Sequence, residues 1–250
     1  MRRQKFRAGL LLCAAVSLAL SGCQAVGAQA GTLRVGVRDS VPGFGYFNPV
    51  SETYSGMEVE LARNLAAALG YQNMEPVGVT AQTREQALEE GTVDCVVATF
   101  TITEERKENY DFSSPYYTDH LKVMVENSSL FQNLEDLNGK CIGVTEGSTA
   151  HEFLQEAMAK QGGRVTFAGY PTYPELMQAL EVGDVDAVCT DGSILKGYLN
   201  EERSLLPDTL AEQQFGIATK KGSPLTARIQ ATMDAWTADG TLEELNTRWK

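Results

Sequence analysis

Four apolar runs in this chain end in polar residues able to bind something. "LRVGV" ends in Arg38. "VDCVVA" ends in Thr99, Phe100 and Thr101, with Arg106 close behind. "CIGV" ends in Thr145, Glu146, Gly147, Ser148 and Thr149, and "VDAVCT" ends in Asp191. The chemistry that these residue types support is recognition of a zwitterion. Arg106 offers a planar fork for a carboxylate. Thr149-Ala-His-Glu152 has the spacing of a capping box, so a helix is expected to begin at Ser148 and Thr149, with free N–H groups suited to an anion. Asp191 can receive an ammonium, and the hydroxyls of Thr99 and Thr101 can add hydrogen bonds. Each feature also has a plainer reading: a surface charge in "EERKE", a simple helix cap, and a turn aspartate before Gly192.

These residues need a frame. Short β-rich runs alternate with helical periodicity from residue 31 onward. "SGMEVELARNLAAALGY" puts Met57, Leu61, Leu65 and Leu69 on one helical face. "TREQALEEG" reads as a helix and "VDCVVAT" as a strand. The alternation continues through "KCIGVT", "STAHEFLQEAMAKQG", "VTFAGY", "YPELMQALEVG" and "VDAVCTD", and the last 25 residues read as helices broken at Gly240. That order predicts an α/β fold with parallel sheets, in which ligands bind beyond the carboxyl ends of the strands. "QALEEGTVDCVVAT" (86–99) is echoed by "QALEVGDVDAVCTD" (178–191), and "VGVRDS" (35–40) by "IGVTEGS" (142–148). Two versions of one unit predict two lobes. The extended stretches "PYYTDHLKVMV" and "AEQQFGIATKKGSP" supply two crossings between them, the layout of a hinge.

The first residues are read separately. Arg2, Arg3, Lys5 and Arg7 precede an apolar stretch from Leu10 to Leu20, which is shorter than the about 20 residues of a membrane span. Residues 1–22 are therefore expected to be a signal peptide. Leu20-Ser21-Gly22-Cys23 resembles the lipobox of bacterial lipoproteins, which makes Cys23 a lipid anchor followed by a tether over 23–30. Without the four leader cations, 17 Lys and Arg stand against 33 Asp and Glu, a net charge of −16. Such a chain is poorly suited to nucleic acid or anionic lipid. Cys95, Cys141 and Cys189 lie in apolar runs, with no CxxC pair, and His120 and His151 stand apart. Buried thiols are expected, with a Cys141–Cys189 bridge as the alternative, and neither a metal site nor a cofactor is expected.

The stretches "TFTITEERKENYDFSSPYY", "LEDLNGKCIGVTEGSTA", "ALEVGDVDAVCTD", "EQQFGIATKKGSP" and "ADGTLEELNTRW" resemble the family-3 extracellular solute-binding proteins over residues 31–250. The resemblance implies a type II periplasmic-binding-protein fold. Lobe I would comprise 31–115 and 216–250, lobe II 121–210, and the hinge 116–120 and 211–215. It implies an extracytoplasmic receptor that binds one amino acid and delivers it to the permease subunits of an ABC importer, acting as a monomer. Carried over, Arg106 and the amides at Ser148 and Thr149 hold the α-carboxylate. Asp191, the Thr99 carbonyl and the Thr101 hydroxyl hold the α-ammonium. Phe44 lines the pocket or simply packs. The family's frequent aspartate at the end of the first strand is replaced by Arg38. Together with Arg84, and Tyr173 from the other lobe, this makes the pattern similar to aspartate and glutamate receptors. Glutamine, asparagine and cystine are the alternative ligands. A cyclohexadienyl-dehydratase-like enzyme would need a proton donor, for which only Glu146 and Glu52 are loosely placed. A sensory input domain would need a separate signalling partner.

Overall fold

A computed structural model describes residues 29–249; the leader, the lipobox and most of the tether lie outside the described residues. Three short strands follow β1 (Gln29–Arg38): β2 (Ser40–Val41), β3 (Gly45–Asn48) and β4 (Thr53–Ser55). Then come α1 (Met57–Ala68), β5 (Tyr71–Val79), α2 (Thr83–Glu89), β6 (Cys95–Val97), α3 (Glu104–Asn109) and β7 (Tyr110–Phe112). The long β8 (Tyr117–Glu126) leads to β9 (Cys141–Thr145), α4 (Ala150–Lys160), β10 (Thr166–Tyr170), α5 (Tyr173–Val182), β11 (Ala187–Asp191), α6 (Gly192–Lys196) and β12 (Arg203–Leu205). The chain closes with β13 (Glu212–Phe215), β14 (Ala218–Lys220), α7 (Pro224–Asp239) and α8 (Thr241–Arg248).

Two large sheets and one small one result among the described residues. The first has the order β5-β1-β6-β14-β7, the second β10-β9-β11-β8-β12, and the small one is β2-β3-β4. In each large sheet, three parallel strands sit together: β5, β1 and β6 in one, β10, β9 and β11 in the other. The fold is mixed α/β with two sheet-rich lobes. The first half of β8 pairs antiparallel with β13, from Tyr117↔Phe215 to His120↔Glu212, so two neighbouring strands cross from lobe to lobe.

The apolar periodicities explain the cores. Leu33, Val35 and Val37 of β1 are buried with Leu61 and Leu65 of α1. In lobe II, Ile142 and Val144 of β9 are buried with Leu154 of α4 and Cys189 of β11. The last helices part at Gly240, whose φ of 84° suits glycine. Cys95, Cys141 and Cys189 are free thiols. Burial pushes those of Cys95 and Cys189 up, beyond the range in which thiolates form at neutral pH.

Strand β5 gives no sequence signal: it has no apolar alternation, and as the edge strand beside β1 it tolerates Asn73, Glu75 and Pro76. Two sequence expectations need correction. Arg106, expected on the loop that follows "VDCVVA", lies on a short helix, because the Thr103 hydroxyl accepts from the Arg106 amide and caps α3. Thr149 forms no capping box with Glu152. Its backbone is already helical (φ −84°, ψ −5°), and its hydroxyl turns to Gln213 instead.

Gly56 precedes α1 with φ 123°, and a Cβ there would fall 2.2 Å from the Phe44 carbonyl oxygen. Gly56→Ala is therefore expected to cost about 2 kcal/mol and lower the thermal midpoint by about 4–8 °C. Calorimetric melting checks this; an unchanged midpoint would show that the turn before α1 relaxes freely.

Candidate functional site

The polar strand ends of both lobes meet at one seam. Arg38 closes β1 and is only 1% exposed. Its guanidinium carbon lies 5.3 Å from the centre of the Tyr173 ring at the start of α5, on the opposite lobe. Its Nε and Nη1 have no hydrogen-bond partner among the described residues. Arg84, near the start of α2, is 2% exposed. Its Nη1 donates to the carbonyls of Ala98 and Thr99, each at 2.9 Å, and its Nη2 reaches the Gly147 carbonyl of lobe II at 3.2 Å. Arg84 Nε is unpartnered. Burial and the neighbouring guanidinium groups of Arg106 and Arg38 lower the Arg84 pKa.

Arg106 donates to the Thr101 carbonyl and to the Gly147 carbonyl, both at 2.9 Å. Arg84 and Arg106 also lie over the Phe100 ring, 4.1 and 4.7 Å from its centre. Two cations from lobe I therefore converge on one carbonyl of lobe II. Gly147 permits this approach: its φ is +71°, and a Cβ would come within 2.7 Å of the Ala81 oxygen.

Asp191, at the end of β11, is buried, and its Oδ1 has no partner. Its pKa is pushed up to about 7, first by burial and then by the Asp119 carboxylate. Thr145 and Thr190 add unpartnered buried hydroxyls. The Ser148 amide is taken up by the Thr145 carbonyl at 3.1 Å, whereas the Thr149 amide makes no hydrogen bond among the described residues. Phe44 goes elsewhere. It packs edge-on against Tyr117 and Phe215, the crossing-strand aromatics, and lines a separate cavity of about 300 Å³ with Met57 and Trp249. Glu52 stands exposed on the turn before β4, and the Glu146 side chain runs beside Gly169 of β10.

Two residues at the seam escaped the sequence reading. Glu58, fully buried in α1, accepts from the Thr99 amide and the Tyr116 hydroxyl, and leaves Oε2 unpartnered. Burial raises its pKa, against the pull of those hydrogen bonds and of Arg38 and Arg84. Its place three and four residues before Leu61 and Ala62, on the apolar face, was the available signal. Gln213 was signalled by the two-residue period of β13, which turns it inward with Phe215.

The arrangement holds unpaired donors (Arg38, Arg84) and unpaired acceptors (Asp191, Glu58) within one buried seam. Buried polar groups without partners are costly, so this set fits a small ligand that carries both acceptors and donors. No group of His, Cys, Asp and Glu able to hold a metal occurs among the described residues.

Comparison with known proteins agrees with the architecture. The family model for bacterial extracellular solute-binding proteins, family 3, matches residues 33–250. The ABC transporter glutamine-binding protein GlnH of Bacillus subtilis is 32% identical over 220 residues, which cover 86% of this chain and 79% of that protein. The glutamate-binding protein GluB of Corynebacterium glutamicum is 29% identical over 234 residues, covering 87% of this chain and 78% of that one. A solved ancestral arginine-binding protein, bound to arginine, matches with a TM-score of 0.79 and 32% identity, covering 88% of this chain and 98% of that one. With two parallel triplets facing one polar seam and a family match along nearly the whole described length, the chain belongs to the bacterial extracellular solute-binding proteins of family 3 and has the type II periplasmic-binding-protein fold.

Proposed function

We propose that this protein captures an amino acid outside the cytoplasm for an ABC importer, and that the amino acid is acidic: L-glutamate or L-aspartate. The observation that carries the choice of ligand is the pair of buried arginines, Arg38 and Arg84, with guanidinium donors that no protein acceptor meets. Charge supports it further. Arg106 has an acidic neighbour of its own, with Glu85 3.7 Å from its Nε, whereas among the described residues the buried Arg38 and Arg84 have no carboxylate within ion-pair distance. An uncompensated buried charge costs several kcal/mol, so a ligand that brings a second carboxylate to these two arginines is favoured. A glutamate-binding relative is consistent with this reading; the glutamine-binding relative keeps glutamine as the alternative.

In this reading Arg106 and the Thr149 amide hold the α-carboxylate, and Asp191 with the Thr101 hydroxyl holds the α-ammonium. The paired strands β8 and β13 serve as the hinge, and Tyr173 closes over Arg38. The leader and lipobox support a lipoprotein held at the outer face of the cytoplasmic membrane through Cys23. Among the described residues no helix is long and apolar enough to cross a membrane. Permease subunits receive the loaded protein.

Competitive calorimetry with glutamate, aspartate, glutamine, asparagine and cystine tests the ligand. Glutamate is expected to bind about 10²-fold tighter than glutamine, from charge-assisted bonds and donors otherwise left unsatisfied. Arg38→Met should shrink that preference. A neutral amino acid binding tighter than both acids would overturn the choice of ligand and leave the receptor reading standing. Solution scattering of the same samples should show a smaller radius with ligand.

The protonation of Asp191 gives a second test. Its pKa in the folded ligand-free protein lies above that of an unfolded aspartate, so the native state holds the extra proton. Stability contributed by this group is greatest at low pH and is lost as pH rises from about 4 toward about 7. An ammonium beside it favours the ionised form, so binding expels the proton, and affinity should rise with pH between about 5 and 7. Asp191→Asn should flatten that rise; an identical slope would remove Asp191 from the ammonium site.

Cys23→Ser is expected to release the protein from membranes or leave its leader uncut, as fractionation would show. Normal membrane retention of a processed variant would sink the lipid anchor.

A further inference from the structure

Gln213 is wholly buried on crossing strand β13. Its Oε1 accepts two hydrogen bonds, from the Thr101 hydroxyl at 2.9 Å and from the Thr149 hydroxyl at 2.7 Å. Thr101 belongs to lobe I and Thr149 to lobe II, so one oxygen atom gathers a hydroxyl from each side of the seam. The amide orientation is fixed by chemistry. Gln213 Nε2 lies 3.1 Å from the Glu212 carbonyl, which can only accept, so the NH₂ must face that carbonyl and the oxygen must face the threonines.

A threonine hydroxyl has one hydrogen and two lone pairs. Once Gln213 has taken the hydrogen of each, both hydroxyls are left as acceptors only. We propose that Gln213 is a positioning residue that sets ligand specificity: by orienting Thr101 and Thr149 as acceptors, it makes the site select a donor, the α-ammonium, over an oxygen substituent at the same carbon. The inference rests on the amino-acid reading above and extends it from which side chain is bound to which α-substituent is required. Arg106 donates to the Thr101 carbonyl, so that acceptor of the residue is already engaged and the hydroxyl is the acceptor left to a ligand.

The probes are amino acids paired with their 2-hydroxy acids: L-glutamate with 2-hydroxyglutarate, L-glutamine and L-arginine with their 2-hydroxy counterparts. Each is measured by calorimetry on the full mature chain. Wild type should strongly prefer the amino acid. Gln213→Leu frees both hydroxyls to turn their hydrogens toward an oxygen, so the amino-acid-to-hydroxy-acid ratio should fall by about tenfold or more. Gln213→Asn, which shortens the side chain but keeps the amide, should behave like Gln213→Leu and serves if the leucine variant does not fold. A merely structural role would weaken both members of each pair equally. An unchanged ratio in Gln213→Leu and Gln213→Asn, with an amino acid still bound by wild type, overturns the proposal for Gln213 alone. Wild type that binds none of the three amino acids overturns the amino-acid reading, and the proposal with it.

Discussion

Positive charge removed from water is the constraint around which the seam is organised. Arg38 and Arg84 are almost entirely buried, and Arg106 is largely so. Guanidinium groups do not shed their proton to escape such a setting, so they need acceptors. The protein supplies them where its strands stop. The carbonyls of Ala98, Thr99, Thr101 and Gly147 are free for Arg84 and Arg106 because the ladders of β6 and β9 have ended just before them. The seam is therefore a place where unsatisfied backbone and unsatisfied cations answer each other. The shared Gly147 carbonyl makes that exchange a bond between lobes, and the bare α-carbon of Gly147 lets it form.

A second buried group, Glu58, holds the backbone that makes this possible. Thr99 has φ +43°, a left-handed conformation that is costly for a β-branched residue. It persists because Glu58 accepts from its amide while Arg84 donates to its carbonyl. Glu58 also accepts from Tyr116, which stands immediately before crossing strand β8. One carboxyl thus joins helix α1, the end of the β6 segment and the root of the crossing strands. The strained residue lies where the chain must turn a carbonyl toward the seam.

Much of the frame was legible because burial imposes periodicity. The apolar face of α1, the helix break at Gly240 and the paired crossing strands follow directly from spacing. Arg38, Thr99 and Asp191 were legible as strand ends because parallel sheets place ligands there. What escaped depended on contacts made across long stretches of sequence. Strand β5 is held by β1 and needs no alternation of its own. Thr149 has a perfect local partner in Glu152, yet a residue 64 positions away takes its hydroxyl. Phe44 suits a pocket or a core equally by type, and only the aromatic rings of the crossing strands show how it packs. Local propensity loses here to partners that are distant in sequence and close in the fold.

The internal echo of the sequence has a meaning for how a molecule can lie in the seam. Strand order β5-β1-β6 in one sheet matches β10-β9-β11 in the other. In the two echoes Arg38 corresponds to Thr145, and Thr99 to Asp191. Two copies of one unit thus present corresponding ends to a common space. Had those ends stayed alike, they would offer the same chemistry to either end of a guest, which could then enter in two opposed orientations. They have diverged into cation against hydroxyl and carbonyl against carboxylate. The duplicated frame supplies the enclosure, and its broken symmetry tells head from tail.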